Sequence, residues 1–264
     1  MRTMRTIAVL NMKGGVGKTT TVINLAHILA NDYRRRVLVV DCDPQCNTTE
    51  FYGVKGEECI NVSDLLQNQG ESCWIDCVVN ISPYLYLLPA TTQLWQLDLT
   101  AYLQGPPNVM AFRDFLAAVE EDNEVDVVLF DCPPGFTSAS IAALSAAKEV
   151  IIPLTVDGFA FEGLSKLMPQ LESMRKVNPA LSVSGVLITQ WRNTELVTKA
   201  EEELRKCNLP VFAQTIRRTE KVPESTVAKN PVVEYSATSA ATKDYRMLAK
   251  EIFGEVPDHG ETEA

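Results

Sequence analysis

Three runs of apolar residues, Val37-Leu38-Val39-Val40, Val127-Val128-Leu129-Phe130 and Val150-Ile151-Ile152, set the first limit on what this chain can become. None alternates polar with apolar side chains, so none suits a sheet with one face in water. A strand that is apolar on both faces is buried on both, as in a parallel sheet covered by helices. Read with that limit, strands fall at 6–12, 36–41, 85–89, 126–131, 149–154, 182–189 and 211–215. Helical periods fall at 18–30, 161–177, 195–207 and 238–253, the first with Val22, Ile23, Leu25, Ala26, Leu29 and Ala30 on one face. The alternation predicts an α/β fold, a doubly wound, mostly parallel β-sheet flanked by helices. Residues 1–253 are expected to form one domain, 50–80 a small excursion over the sheet edge, and 254–264 an acidic tail that frays.

Composition narrows the class. At 264 residues, 46% hydrophobic and 22% charged, the chain is neither disordered, fibrous nor a coiled coil. No stretch approaches the ~20 apolar residues of a membrane helix. The N-terminal run breaks at a glycine loop, so it reads as a strand entering a turn rather than a signal peptide, and the cytoplasm is the expected location. Seven cysteines, an odd number with C-x3-C spacings and only two histidines for company, point to reduced thiols. The formal net charge is −10, yet residues 190–250 hold 11 Lys and Arg against 8 Asp and Glu, a local +3.

The segment Lys13-Gly14-Gly15-Val16-Gly17-Lys18-Thr19-Thr20 follows a strand and opens a helix. Glycines let the backbone curl so that successive N–H groups point inward, and the helix N-terminus adds its positive end. That is a phosphate cradle, with Lys18 placed for the β- and γ-phosphates and the Thr19 hydroxyl for Mg²⁺. Met12 stands where the usual G-x-x-x-x-G-K-[ST] loop has its first glycine, and Lys13 is an added lysine.

This loop resembles the deviant Walker A loop of the ParA/MinD family of P-loop ATPases, specifically the ParA/Soj partition type. In that family the extra lysine reaches the phosphates of a partner's ATP, so the resemblance implies a homodimer on ATP, with Lys13 acting in trans. Asp41-Cys42-Asp43-Pro44-Gln45 is similar to the family's D-x-D-P-Q motif. By position, Asp43 would orient the attacking water and Asp41 would lie near the magnesium shell. Asp131, followed by Cys132-Pro133-Pro134, resembles the Walker B aspartate, a magnesium ligand. The likeness runs over nearly the whole chain, through Leu88-Pro89-Ala90-Thr91, Phe161-Glu162-Gly163-Leu164 and Pro231-Val232. It implies ATP and Mg²⁺ as cofactors, catalytic roles for Lys13, Lys18 and Asp43, an adenine site near Gln190, Trp191, Ile216 and Arg217, and slow hydrolysis.

Members of the family differ in cargo. Partition members bind DNA non-specifically, and a centromere-binding or adaptor protein of the ParB kind stimulates their hydrolysis. Arg192, Arg217, Arg218 and Lys221 match the basic region that touches DNA phosphates, which implies a nucleoid-associated ATP state and plasmid or chromosome partition. The anionic tail does not suit an amphipathic membrane helix, so no membrane partner is expected. Two other readings stay open: positioning of a non-DNA protein cargo, and a metal- or electron-transfer role of the iron-protein type.

Overall fold

In the computed structural model, which describes residues 3–67, 73–105, 107–158 and 160–257, alternate residues of each central strand fall into two separate cores. Ala8, Leu38, Val40, Val128, Phe130 and Ile152 belong to one; Ile7, Val9, Val37, Val39, Leu129 and Ile151 belong to the other. Successive side chains on a strand point to opposite faces, so this division means that helices cover both faces. The strands are β1 (Arg5–Val9), β2 (Val37–Asp41), β3 (Val79–Ser82), β4 (Leu85–Leu88), β5 (Val127–Asp131), β6 (Glu149–Thr155) and β7 (Ser182–Thr189). Their order is β3-β4-β2-β5-β1-β6-β7. Every neighbouring pair is parallel except β3 and β4.

The helices are α1 (Lys18–Asn31), α2 (Asn47–Phe51), α3 (Val62–Leu66), α4 (Gln93–Gln104), α5 (Ala111–Asp122), α6 (Ser138–Ala146), α7 (Ala160–Met174), α8 (Glu195–Lys206), α9 (Lys221–Val227), α10 (Val232–Tyr235) and α11 (Ala240–Phe253). α1 packs with α11 over one face, through Val22, Leu25, Leu29, Tyr245 and Leu248. α5, α6 and α7 cover the other, through Phe112, Leu116, Ala142, Ala143, Leu164 and Leu167. The doubly wound α/β sheet expected from the apolar runs is the fold observed. Because β1, β2, β4, β5, β6 and β7 are parallel, their carboxyl ends share one rim, which is where such sheets bind ligands.

Two expectations need correction. The strand expected at 211–215 does not form; only isolated bridges, Val186 with Val211 and Trp191 with Arg217, join this segment to its neighbours. Its ladder groups are claimed by another partner: the Glu251 carboxylate accepts from the N–H of Ala213 at 2.7 Å and of Gln214 at 2.9 Å. The first strand stops at Val9 rather than at residue 12, because Asn11 turns the chain. Its Oδ1 accepts from the Lys13 N–H at 3.0 Å and its Nδ2 donates to Pro153 O at 2.7 Å. The expected excursion 50–80, of which residues 68–72 lie outside the described residues, ends where β3 begins; β3 pairs antiparallel with β4 at the sheet edge, with a register shift between Asn80 and Ser82. Of the expected tail, residues 258–264 lie outside the described residues. No helix among the described residues is long and apolar enough to cross a membrane.

Candidate active site

The loop between β1 and α1 occupies the rim at the middle of the sheet. Gly15 and Gly17 have φ of 72° and 87°, left-handed values that a side chain would strain. Gly17 caps α1 without any side-chain hydrogen bond. The first N–H groups of a 14-residue helix are therefore left for an external acceptor. The loop is braced from behind: Thr189 Oγ1 donates to Val16 O at 2.8 Å, and Gln190 Nε2 donates to Gly15 O at 2.7 Å. Lys18 Nζ donates to Lys13 O at 3.1 Å and is nearly buried. Burial lowers its pKa, opposed by the charges of Asp131 and Asp43. Lys13 Nζ, by contrast, pairs at the surface with Asp157.

Asp41 and Asp131 end adjacent strands and stand opposite each other in the β2–β5 register. Both are buried. Burial raises the Asp41 pKa, and the nearby Asp131 charge raises it further. Burial also raises the Asp131 pKa, against hydrogen bonds from Thr48 and Thr19. Asp131 Oδ2 accepts from Thr19 Oγ1 at 2.8 Å and from Thr48 Oγ1 at 2.6 Å. Asp41 Oδ2 accepts from Thr49 N–H at 2.9 Å and Oγ1 at 2.7 Å, while its Oδ1 accepts from the Asp43 N–H at 3.1 Å. Asp43 Oδ1 in turn accepts from the Gln45 N–H at 2.9 Å.

One atom has no place in this network. Asp131 Oδ1 is buried and has no hydrogen-bond partner among the described residues. An orphaned carboxylate oxygen next to a second buried carboxylate is a high-energy arrangement that a cation relieves. The Thr19 hydroxyl donates its single proton to Asp131, which leaves its lone pairs for the same cation. The donors are all oxygen, the preference of Mg²⁺. No cluster of three His, Cys, Asp or Glu suited to a metal occurs among the described residues. The residues fit magnesium.

Beside the loop lies a cavity of about 500 Å³, lined by Gly17, Thr20, Gln190, Ile216, Arg217 and Tyr245 among others. It has room for a base and sugar next to the phosphate cradle. A cavity of about 590 Å³ beside α4 touches none of these residues. Arg217 lines the nearer cavity, but its guanidinium is held by Asp244 through contacts of 2.6, 2.9 and 3.1 Å, and its N–H donates to the same carboxylate at 2.9 Å. Lys221 pairs with Glu224 at 2.6 Å. Arg218 lines the cavity and Arg192 lies on the adjoining surface; neither enters an ion pair among the described residues.

The structure thus brings Lys18, Thr19, Asp41, Asp43 and Asp131 together and sets Gln190 and Arg217 around the neighbouring cavity. Sequence reading passed over Thr48 and Thr49, whose signal was a Thr-Thr pair soon after the acid motif. It also passed over Thr189 and Asp244, which lie too far along the chain for spacing to reveal them. Cys42 and Cys132 follow the two carboxylates and are buried, and burial raises the Cys42 thiol pKa well above the usual range.

A family model described as an AAA domain matches residues 4–183. The chain is 35% identical to the chromosome-partitioning ATPase Soj of Thermus thermophilus over 97% of this chain and 98% of that protein. It is 33% identical to the chromosome partitioning protein ParA of Caulobacter vibrioides, over 97% of this chain and 96% of that one. Among solved structures it superposes on cobyrinic acid a,c-diamide synthase of Mycobacterium smegmatis with bound ADP and magnesium, at a TM-score of 0.78 and 27% identity, over 96% of this chain and 98% of that one. A plasmid partition protein of Borrelia burgdorferi bound to AMPPNP shares the fold at a TM-score of 0.78 and 22% identity, over 95% and 98%.

Proposed function

This chain belongs to the ParA/Soj family of partition ATPases, and from that premise we propose that it binds ATP with Mg²⁺, dimerises on it, and hydrolyses it slowly. In the dimer it binds DNA without sequence preference. A ParB-like centromere-binding or adaptor protein stimulates hydrolysis and releases it, which partitions a chromosome or plasmid in the cytoplasm. The observation that carries this reading is the orphaned Asp131 Oδ1 beside the Lys18–Thr19 end of the phosphate loop.

In this reading Gly14, Gly15, Val16, Gly17 and Thr20 hold the phosphates through backbone N–H groups and the α1 N-terminus. Lys18 neutralises the β- and γ-oxygens. Thr19 and Asp131, with Asp41 behind them, would hold Mg²⁺, which supplies charge neutralisation between the phosphates. Asp43 orients water for in-line attack. Its backbone tie to Asp41 and its side-chain tie to Gln45 fix the turn that carries it.

Lys13 must leave Asp157 to reach a second copy. Both side chains of that pair are about 40% exposed, and an exposed pair is worth at most ~1 kcal/mol, so it yields to a phosphate. Delivered in trans, its charge stabilises the transition state as an arginine finger does.

Arg192 and Arg218 would meet DNA phosphates first, with Lys221 and the Asp244-bound Arg217 beside them. Doubling the patch in a dimer makes binding depend on ATP. The test is fluorescence anisotropy of a random-sequence duplex with Mg²⁺ and ATP, ADP or no nucleotide, at two salt concentrations. Binding with ATP alone, weakened by salt, is the expected result. A chain that binds ATP but no DNA in any state overturns the DNA role and leaves the ATPase standing.

A further inference from the structure

Thr48 and Thr49, neighbours in α2, divide the two buried carboxylates between them. Thr49 serves Asp41 through its N–H and its hydroxyl, and its Oγ1 accepts in turn from the Ala90 N–H at 2.9 Å. Thr48 serves Asp131, through a 2.6 Å bond from its hydroxyl, and it is fully buried. Nothing about solubility or surface charge explains a hydroxyl at that position.

The asymmetry at Asp131 is the telling feature. Two hydroxyls, Thr19 from α1 and Thr48 from α2, converge on Oδ2, and none among the described residues reaches Oδ1. A carboxylate held by one donor can turn about its Cβ–Cγ bond and exchange its oxygens. Two donors arriving on one oxygen from different helices prevent that, and they leave the remaining lone pairs on Oδ1. Partners of this kind orient a metal-binding carboxylate and raise its affinity for the ion.

We propose that Thr48 is a positioning residue that fixes the Asp131 carboxylate with Oδ1 presented to the cation or its water. This rests on the reading of the site as one for ATP and magnesium. It adds that the helix carried by the Asp43 turn takes part in cation binding, because Thr48 lies five residues after Asp43. Packing alone would be served equally well by valine, which has the same shape and no hydroxyl, so the two explanations separate.

The experiment uses the full chain with a non-hydrolysable ATP analogue. Cation binding is read from the electron paramagnetic resonance of free Mn²⁺, and analogue affinity is measured separately in EDTA. Thr48→Val is expected to raise the Mn²⁺ concentration for half-saturation by roughly tenfold, with analogue affinity in EDTA unchanged. Thr48→Ser, which restores the hydroxyl, is expected within about twofold of the unsubstituted chain. Urea unfolding in EDTA checks each variant; if Thr48→Val does not fold, Thr48→Ala replaces it with the same expected shift. Wild-type Mn²⁺ binding in Thr48→Val, or an equal loss in Thr48→Ser, overturns the role of the hydroxyl. Asp131→Asn separates the two layers of the argument. If it weakens Mn²⁺ binding and Thr48→Val does not, only the inference about Thr48 fails. If it has no effect, Asp131 is no cation ligand and the site reading fails with it.

Discussion

The acid pair on β2 and β5 and the basic turn after β7 are both clusters of like charge, and the structure treats them in opposite ways. At the acid pair, no cation among the described residues pairs with Asp41, and Asp131 has hydroxyl donors but an empty second oxygen. The cluster is incomplete without something positive. At the basic turn, Arg217 is matched by Asp244 and Lys221 by Glu224, so half of that cluster is already complete. Residue type marks both regions equally. Only the partners show that the first leaves a buried carboxylate oxygen unsatisfied among the described residues, and that the second is half matched within the protein.

The comparison predicts that substitutions at the rim change chemistry and leave folding alone. The largest effect is expected at Asp43. Asp43→Ala should bind ATP normally yet turn over roughly 10²- to 10⁴-fold more slowly, the range for losing a group that handles the attacking water. It should also persist as a dimer. Steady-state phosphate release and light scattering check both. Wild-type turnover would remove Asp43 from the mechanism.

Next comes Lys18. The residue is nearly buried, close to the charges of Asp131 and Asp43, and its ammonium donates to a loop carbonyl, Lys13 O. Lys18→Ala should cost about 3 kcal/mol of nucleotide binding, roughly 100-fold in Kd, as a lost charge-assisted hydrogen bond does. Titration with a fluorescent ATP analogue measures it. Unchanged affinity would mean that the phosphates lie elsewhere.

Legibility follows the same division. The phosphate loop, Asp41, Asp43 and Asp131 were readable because each is local: a glycine turn or an acid at the end of an apolar strand, set by a few neighbouring residues. Register then places Asp41 against Asp131 without further information. The helices over one face were harder. α6, Ser138–Ala146, is made of small residues and buried nearly all round, so it has no polar stripe to betray its period. The segment 211–215 reads as a strand by propensity and is diverted by Glu251, a residue 38 positions beyond Ala213. Arg217 reads as a free cation, and its partner Asp244 lies 27 positions away. Most of what sequence reading missed are contacts between distant elements, which no local pattern encodes; Thr48 and Thr49, close behind the acid motif, are the local exception.

At the basic turn the comparison reverses the expected order of stability and function. Asp244→Ala removes the acceptor of the Arg217 guanidinium and of its backbone N–H, and should destabilise the fold by about 2 kcal/mol, discounted for the half-exposed arginine. Urea unfolding checks this, and a change within about 0.5 kcal/mol would show the pair to be an idle surface contact.

The smallest and sharpest test sets two adjacent arginines against each other. Arg217 and Arg218 are equal in charge and one residue apart, but Arg217 is neutralised by a buried carboxylate and Arg218 enters no ion pair among the described residues. Neutralising a phosphate releases counterions only if the cation is not already matched within the protein, so the two should differ in salt dependence rather than in charge count. Arg218→Ala should lower the slope of log Kd against log salt for duplex binding by about 0.9 for each phosphate that the arginine had neutralised. Arg217→Ala should leave that slope nearly unchanged and lower unfolding stability instead. Equal slopes for the two variants would mean that Asp244 releases Arg217 in the ATP state. The basic turn would then resemble the acid pair after all, as a cluster completed only by its ligand.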